Sequence, residues 1–145
     1  MKSIVYMLAL WLSVSSFSLF ADGWSAPEVT DLPEEISSLV ESNQYEEAKE
    51  ALKAFTEKEK NNADAWNLLG YSQRKTGDLK QSLKSYKRAL RLEPKHLGAN
   101  EYIGELYLMM DKPKKARKHL KRLRRYCGEC EEAEELAEAI EQYSS

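Results

Sequence analysis

The sequence predicts an all-α fold, an α-solenoid of three helix-turn-helix repeats followed by a C-terminal capping helix. Three observations lead there. Segments 29–62, 63–96 and 97–130 are equal in length and align end to end without a gap. Tyr45, Leu79 and Pro113 then coincide, as do Ala48, Ser82 and Ala116; Leu52, Tyr86 and Leu120; and Phe55, Ala89 and Leu123. Each segment carries two runs of apolar residues at helical spacing. The runs are separated by "SNQ", "TGD" or "MDK", short polar stretches that end one helix and begin the next.

Residues 1–21, MKSIVYMLALWLSVSSFSLFA, have the layout of a secretory signal peptide. Lys2 gives a positive start, an apolar stretch runs from Ile4 to about Leu12, and cleavage is expected near Ala21. No cysteine lies near that bond, so lipid attachment there is excluded. The expectation is an exported, periplasmic protein with a short linker over 22–28.

Residues 29–62 form the first predicted repeat, opened by Asp31 and Glu34 as a D-x-x-E signature with Pro33 in the first helical turn. Phe55 stands where a small residue is wanted, so this pair should pack less closely than the others. In the second repeat, 63–96, Gly70, Ser82 and Ala89 are small where two helices must approach, while Trp66 and Tyr86 fill the spaces between pairs. Gly77-Asp78 is expected to end one helix and cap the next. The third repeat, 97–130, keeps Gly104 and Ala116 small and Leu120 large, and Asp111 precedes a helix with Pro113 in its first turn. Residues 131–143 supply the capping helix, its stripe of Ala133, Leu136, Ala137 and Ile140 facing the stack and its glutamates facing water. No single pair buries its apolar face, so stability must come from stacking neighbours.

With 22 Lys and Arg against 24 Asp and Glu, the net charge is −2, and no bulk attraction to nucleic acid follows. The charge is segregated, however. Residues 112–125, KPKKARKHLKRLRR, are strongly basic, and 129–142 strongly acidic. Ala116, Leu120 and Leu123 take the buried stripe of the basic helix. Its cations are then either solvated and paired across the interface with Glu131, Glu134, Glu135 and Glu138, or a docking surface for an anionic partner or membrane headgroups.

Cys127 and Cys130 are the only cysteines, spaced C-x-x-C. A reactive dithiol opens a helix after a strand, and no strand pattern precedes this pair. Zinc needs two more ligands, and the two histidines, His96 and His119, lack a signature spacing. Glu131, not His, follows Cys130, which excludes c-type haem attachment. Export favours a disulfide that staples the last repeat to the capping helix across Gly128. The alternative is an exported thiol-disulfide or metal-handling accessory protein that uses the pair.

The second segment, ADAWNLLGYSQRKTGDLKQSLKSYKRALRLEP, resembles a tetratricopeptide repeat. Trp66, Leu69, Gly70, Ala89 and Pro94 match that family's pattern. Gln73 replaces its usual Tyr, Ser82 its Ala and Tyr86 its Phe. The third segment keeps Gly104, Tyr107 and Ala116 but has Asn100 for Trp; the first keeps mainly Tyr45 and Ala48.

The resemblance implies a concave groove, lined by the first helix of each pair, that binds a partner protein or peptide. Carried over position by position, the groove takes Thr30, Pro33, Ser37 and Val40, then Asp64, Asn67, Tyr71, Arg74 and Lys75, then Gly98, Glu101, Glu105, Leu108 and Met109. Asn67 would hold a peptide backbone, Tyr71, Leu108 and Met109 would give apolar contact, and Arg74 would pair with a carboxylate unless it pairs with Glu105 or Glu101. The family's carboxylate clamp is absent, since its positions carry Pro33, Ser37, Leu68, Gly98 and Tyr102. The sequence thus reads as an adaptor, scaffold or assembly factor with no cofactor and no catalytic arrangement, and not as an enzyme.

Overall fold

A computed structural model describes residues 32–145. The signal peptide expected over 1–21, the linker 22–28, Thr30 and Asp31 lie outside the described residues. Seven helices follow in order: α1 (Glu34–Glu41), α2 (Tyr45–Lys58), α3 (Ala63–Lys75), α4 (Leu79–Leu92), α5 (Leu97–Met109), α6 (Pro113–Cys127) and α7 (Glu131–Ser144). There is no strand among the described residues. The helix starts keep the sequence period. Ala63, Leu97 and Glu131 open α3, α5 and α7 at equal intervals, and Tyr45, Leu79 and Pro113 open α2, α4 and α6 at the same interval. The capping helix therefore occupies the place of the first helix of a fourth pair.

The three breaker stretches share one geometry. Asn43, Gly77 and Asp111, which are equivalent positions of successive repeats, each take a left-handed backbone, with φ of 61°, 87° and 57°. The amide of the following residue reaches back to the fifth residue before it: Gln44 to Leu39 at 2.9 Å, Asp78 to Gln73 at 2.8 Å, and Lys112 to Tyr107 at 2.8 Å. Each turn so satisfies carbonyls that the ending helix would leave bare.

Helix starts depart from expectation in two places. Pro33 is the N-cap of α1 and not part of its first turn. Asp78 gives no side-chain cap to α4. Its carboxylate turns instead to Lys49 on α2, 3.4 Å away, while Lys49 also meets Glu46 at 2.5 Å. Side-chain caps are made at α3 and α5, with Asn62 accepting from Ala65 N at 2.8 Å and His96 Nδ1 from Ala99 N at 3.2 Å.

Packing follows the small-and-large alternation. A Cβ at Gly70 would lie 2.7 Å from the Tyr86 ring, and one at Gly104 would lie 2.6 Å from Leu136. Ala48, Ser82 and Ala116 have no exposed surface. Phe55 stays half-buried against the first pair.

The apolar interior divides in two. One cluster joins Ile36, Ala48, Leu52, Ala65 and Leu69 under α1 to α3. The other joins Tyr86, Ile103, Leu106, Leu123, Leu136 and others from α4 to α7. Between α3 and α4 lies a buried polar layer: Ser82 Oγ donates to the Gly70 carbonyl at 2.7 Å, and Ser85 Oγ donates to Gln73 Oε1 at 2.7 Å.

Candidate functional site

The groove positions predicted on α3 and α5 are brought together around a row of tyrosines. Tyr71 on α3 has Tyr45 on one side, with ring centroids 5.8 Å apart, and Tyr102 of α5 on the other at 5.1 Å. Fully buried Tyr86 supports Tyr102 from beneath at 6.3 Å. Helical spacing explains the row, since residues 67, 71 and 74 share one face of α3, while 66, 69 and 73 share another.

Cations lie over these rings. The Arg74 guanidinium sits 5.3 Å from the Tyr71 centroid and 5.6 Å from that of Tyr102, and Lys75 Nζ lies 5.4 Å from Tyr71 and 5.7 Å from Tyr45. Such cation–π contacts fix a charge against an apolar surface. Arg74 Nη1 also meets Glu105 Oε2 at 2.7 Å, so its charge is already paired within the protein. Burial pushes the Tyr71 and Tyr102 hydroxyls up to about 12, so both remain donors across the physiological range.

Three predicted groove residues are not free surface. Asn67 is 7% exposed, Glu101 3% and Leu108 8%. Leu108 belongs to the second apolar cluster together with Leu136 and Ile140 of α7, which packs directly on α5. Glu101 is buried beside Glu135, Glu105 and Glu132; burial first, then the bond to Glu135 and the neighbouring charges, raise its carboxyl to about 9, so it is protonated at neutral pH. Met109 does present its side chain, at 54% exposure. Asn67 Oδ1 and Arg74 Nε are buried with no hydrogen-bond partner among the described residues. Tyr45 and Tyr102 complete the row but were not among the predicted binding residues, and only their proximity to Tyr71 identifies them.

Two family models, each described as tetratricopeptide repeat, match residues 34–95 and 73–140. The chain belongs to the tetratricopeptide repeat family. A stretch of 79 residues is 33% identical to Protein FlbA of Caulobacter vibrioides, taking in 54% of this chain and 13% of that protein's length. In fold, the protein is similar to the Yersinia enterocolitica type III secretion translocator chaperone SycD, with a TM-score of 0.66 at 16% identity, over 76% of this chain and 83% of that one.

Against this tetratricopeptide framework the third repeat is unusual at the family's Trp position. Fully buried Asn100 there donates to the Pro94 and His96 carbonyls at 3.2 and 2.9 Å, and its Oδ1 lies 3.0 Å from His119 Nδ1. His119 also stacks on Tyr107, 5.8 Å between centroids. Burial, then the Arg122 charge, pull it down to about 4, so it is neutral and structural. His96 caps α5 through Nδ1, and its Nε2 lies 2.8 Å from Asp64 Oδ1 without the alignment of a hydrogen bond.

The basic helix α6 carries its cations outward. Lys114, Lys115, Lys118, Lys121, Arg122 and Arg125 are exposed. The expected pairing with Glu131, Glu134, Glu135 and Glu138 does not form among the described residues; the α6–α7 junction holds one pair, Arg124 with Glu129 at 3.6 Å. The glutamates of α7 point to solvent or, for Glu135, to Glu101, because the helices meet through Ala133, Leu136 and Leu123.

Cys127 ends α6 and Cys130 is the N-cap of α7, with Gly128 between them at φ 74°. The two cysteines are bonded to each other, with Cα atoms 5.7 Å apart. Glu132 is the only further acidic or imidazole group brought to them among the described residues. His119, the histidine on the same helix, faces Asn100 and Tyr107 instead. No described helix is long and apolar enough to cross a membrane.

Proposed function

We propose that this protein is an exported binding module, an adaptor or assembly factor, that holds a segment of a partner protein along the Tyr45–Tyr71–Tyr102 row. The observation that carries the reading is the row itself: three rings from three helices, topped by Arg74 and Lys75, of which Tyr71, Arg74 and Lys75 are positions that the resemblance assigns to the groove. Rigid amphipathic rings give large contact area at low entropic cost. Family membership supports protein binding in general, and likeness in fold to a secretion chaperone is consistent with holding a partner before assembly. The leader-like segment 1–21 supports export. In an oxidising compartment Cys127 and Cys130 act as a staple at the α6–α7 turn and not as a catalytic dithiol. So short a loop gives at most about 2 kcal/mol.

The test is site-specific photo-crosslinking in intact cells, with the reactive group at position 71 or 109 and a control at Lys118. Capture of one partner at the first two positions and not at the control is expected. Capture at Lys118 alone would move the binding surface to the basic helix and end the groove reading.

A further inference from the structure

On the other side of α3, away from the tyrosine row, the molecule opens a cleft of about 950 Å³ between α2 and α4. Its floor is Trp66, Leu69 and Gln73 from α3, with Ser85 from α4. The period gives a control for this space, because the third repeat has the equivalent positions. Gln73 corresponds to Tyr107, and Ser85 to His119. In the third repeat those two rings stack on each other at 5.8 Å, both nearly buried, with Lys115 Nζ 5.2 Å from the Tyr107 ring. In the second repeat the same space is bordered by a small amide–hydroxyl pair, Ser85 Oγ to Gln73 Oε1 at 2.7 Å, and the rings are missing. With Oε1 engaged by the hydroxyl, the Gln73 amide keeps its Nε2 donors for the cleft floor.

The rim has a definite sign. Lys53, Lys60, Lys84, Arg88 and Arg91 line it against Glu57 and Asp78, with Lys53 already paired to Glu50 at 2.7 Å. Asp78 is itself held by Lys49. Two contacts keep the mouth in shape: Trp66 Nε1 and Arg88 Nη2 both donate to the Lys60 carbonyl, at 3.0 and 3.1 Å. A pocket of this size, with Trp66 and Leu69 as the apolar part of its floor, an amide donor beside them and an excess of cations at the rim, fits a large flat side chain carried on an acidic chain.

We propose that this cleft is a second binding site, which takes an aromatic side chain from an acidic segment of a partner protein, the ring entering the space that Tyr107 and His119 fill in the next repeat. The site is separate from the tyrosine row, and the two stand or fall independently.

The experiment uses the protein and a short fluorescein-labelled peptide of aspartates and glutamates around one tryptophan, followed by anisotropy. Binding that weakens as salt is raised is expected. Replacing the peptide's tryptophan by alanine should weaken it at least tenfold. The double substitution Gln73→Tyr and Ser85→His, which copies the third repeat into the second, should do the same, whereas Lys118→Glu with Lys121→Glu, an equal charge reversal at exposed positions of α6, should leave binding unchanged. Should the filled variant fold poorly by circular dichroism, Lys84→Glu with Arg91→Glu, both at exposed positions, is the substitute and should also cost tenfold. The Trp66 indole N–H resonance should shift on titration of the unaltered protein. Equal affinity for the alanine peptide, undiminished binding by the filled variant or by the cleft charge reversal, or loss of binding in the α6 charge reversal would each overturn the proposal. So would self-association of the protein that is abolished by the same cleft substitutions.

Discussion

The second and third repeats have helices in the same register and the same turn, yet they solve their interiors differently. The second places Trp66, Gln73 and Ser85 where the third places Asn100, Tyr107 and His119. In the third, the aromatic and the polar members have exchanged positions: a buried amide takes the tryptophan's place and anchors the histidine, and the tyrosine fills the gap behind. The result is a closed repeat, continuous with the apolar cluster that reaches α7. The second repeat stays open on one side and carries the polar layer that divides the core. One repeat is built to be packed against, and the other is built to be approached.

The largest test of that contrast is steric. Gly70 lies under the rigid Tyr86 ring, whereas Gly104 lies under the methyl groups of Leu136, a side chain with rotatable bonds; both neighbours are fully buried. Gly70→Ala should cost about 2 kcal/mol by overpacking. Gly104→Ala should cost about 1 kcal/mol, less than Gly70→Ala, because a leucine side chain yields more readily than a ring and alanine is the better helix former. Urea unfolding of both variants measures the difference, and equal costs would mean that the two interfaces are equally rigid.

A middle-sized effect concerns pH. Both buried groups with large, opposite shifts belong to the third repeat. Glu101, raised to about 9, holds its proton more tightly folded than unfolded. Its contribution to stability is full below its ordinary value of 4.5 and fades as the pH rises through about 9. His119, lowered to about 4, contributes fully above its ordinary 6.5, and that contribution is lost as the pH falls through about 4. Urea midpoints between these limits should therefore fall on both sides of a maximum. Glu101→Gln should flatten the alkaline side and His119→Gln the acid side, and a curve unchanged by either would show that the burial of these groups is incomplete.

The smallest effect lies in the turns. A Cβ on Gly77 would meet nothing within 4 Å, so Gly77→Ala isolates the backbone cost of a left-handed residue, about 1 kcal/mol. Asp111→Gly should change stability by only about 0.5 kcal/mol, because relief of that backbone is opposed by greater freedom in the unfolded chain and by loss of the Tyr143 hydrogen bond to Asp111. Thermal melts of the pair check both.

Much of this was legible beforehand because a repeat is its own alignment. The spacing of Ala48, Ser82 and Ala116 located the close approaches, and the breaker stretches located the turns. What the period could not give was how far α7 leans over α5. Leu108 and Glu101 occupy groove positions by register, yet the contact with Leu136 and Glu135 buries them. Lys49 and Asp78 were hidden for a similar reason: a lysine and an aspartate so far apart in the chain show no local pattern, and only the α2–α3 packing joins them. The cleft was announced by one departure, Gln73 for tyrosine, whose meaning required knowing that Ser85 faces it.

The register of α7 has one more consequence. A stack whose units repeat by one fixed step offers its two ends as complementary surfaces, and copies joined head to tail would grow into a fibre without closing. Here the two ends of the described stack carry the same sign. Glu34, Glu35 and Glu41 are exposed on α1, and Glu131, Glu134, Glu135 and Glu138 on α7. Like charge at both ends opposes such growth, and it protects best in dilute salt, where screening is least.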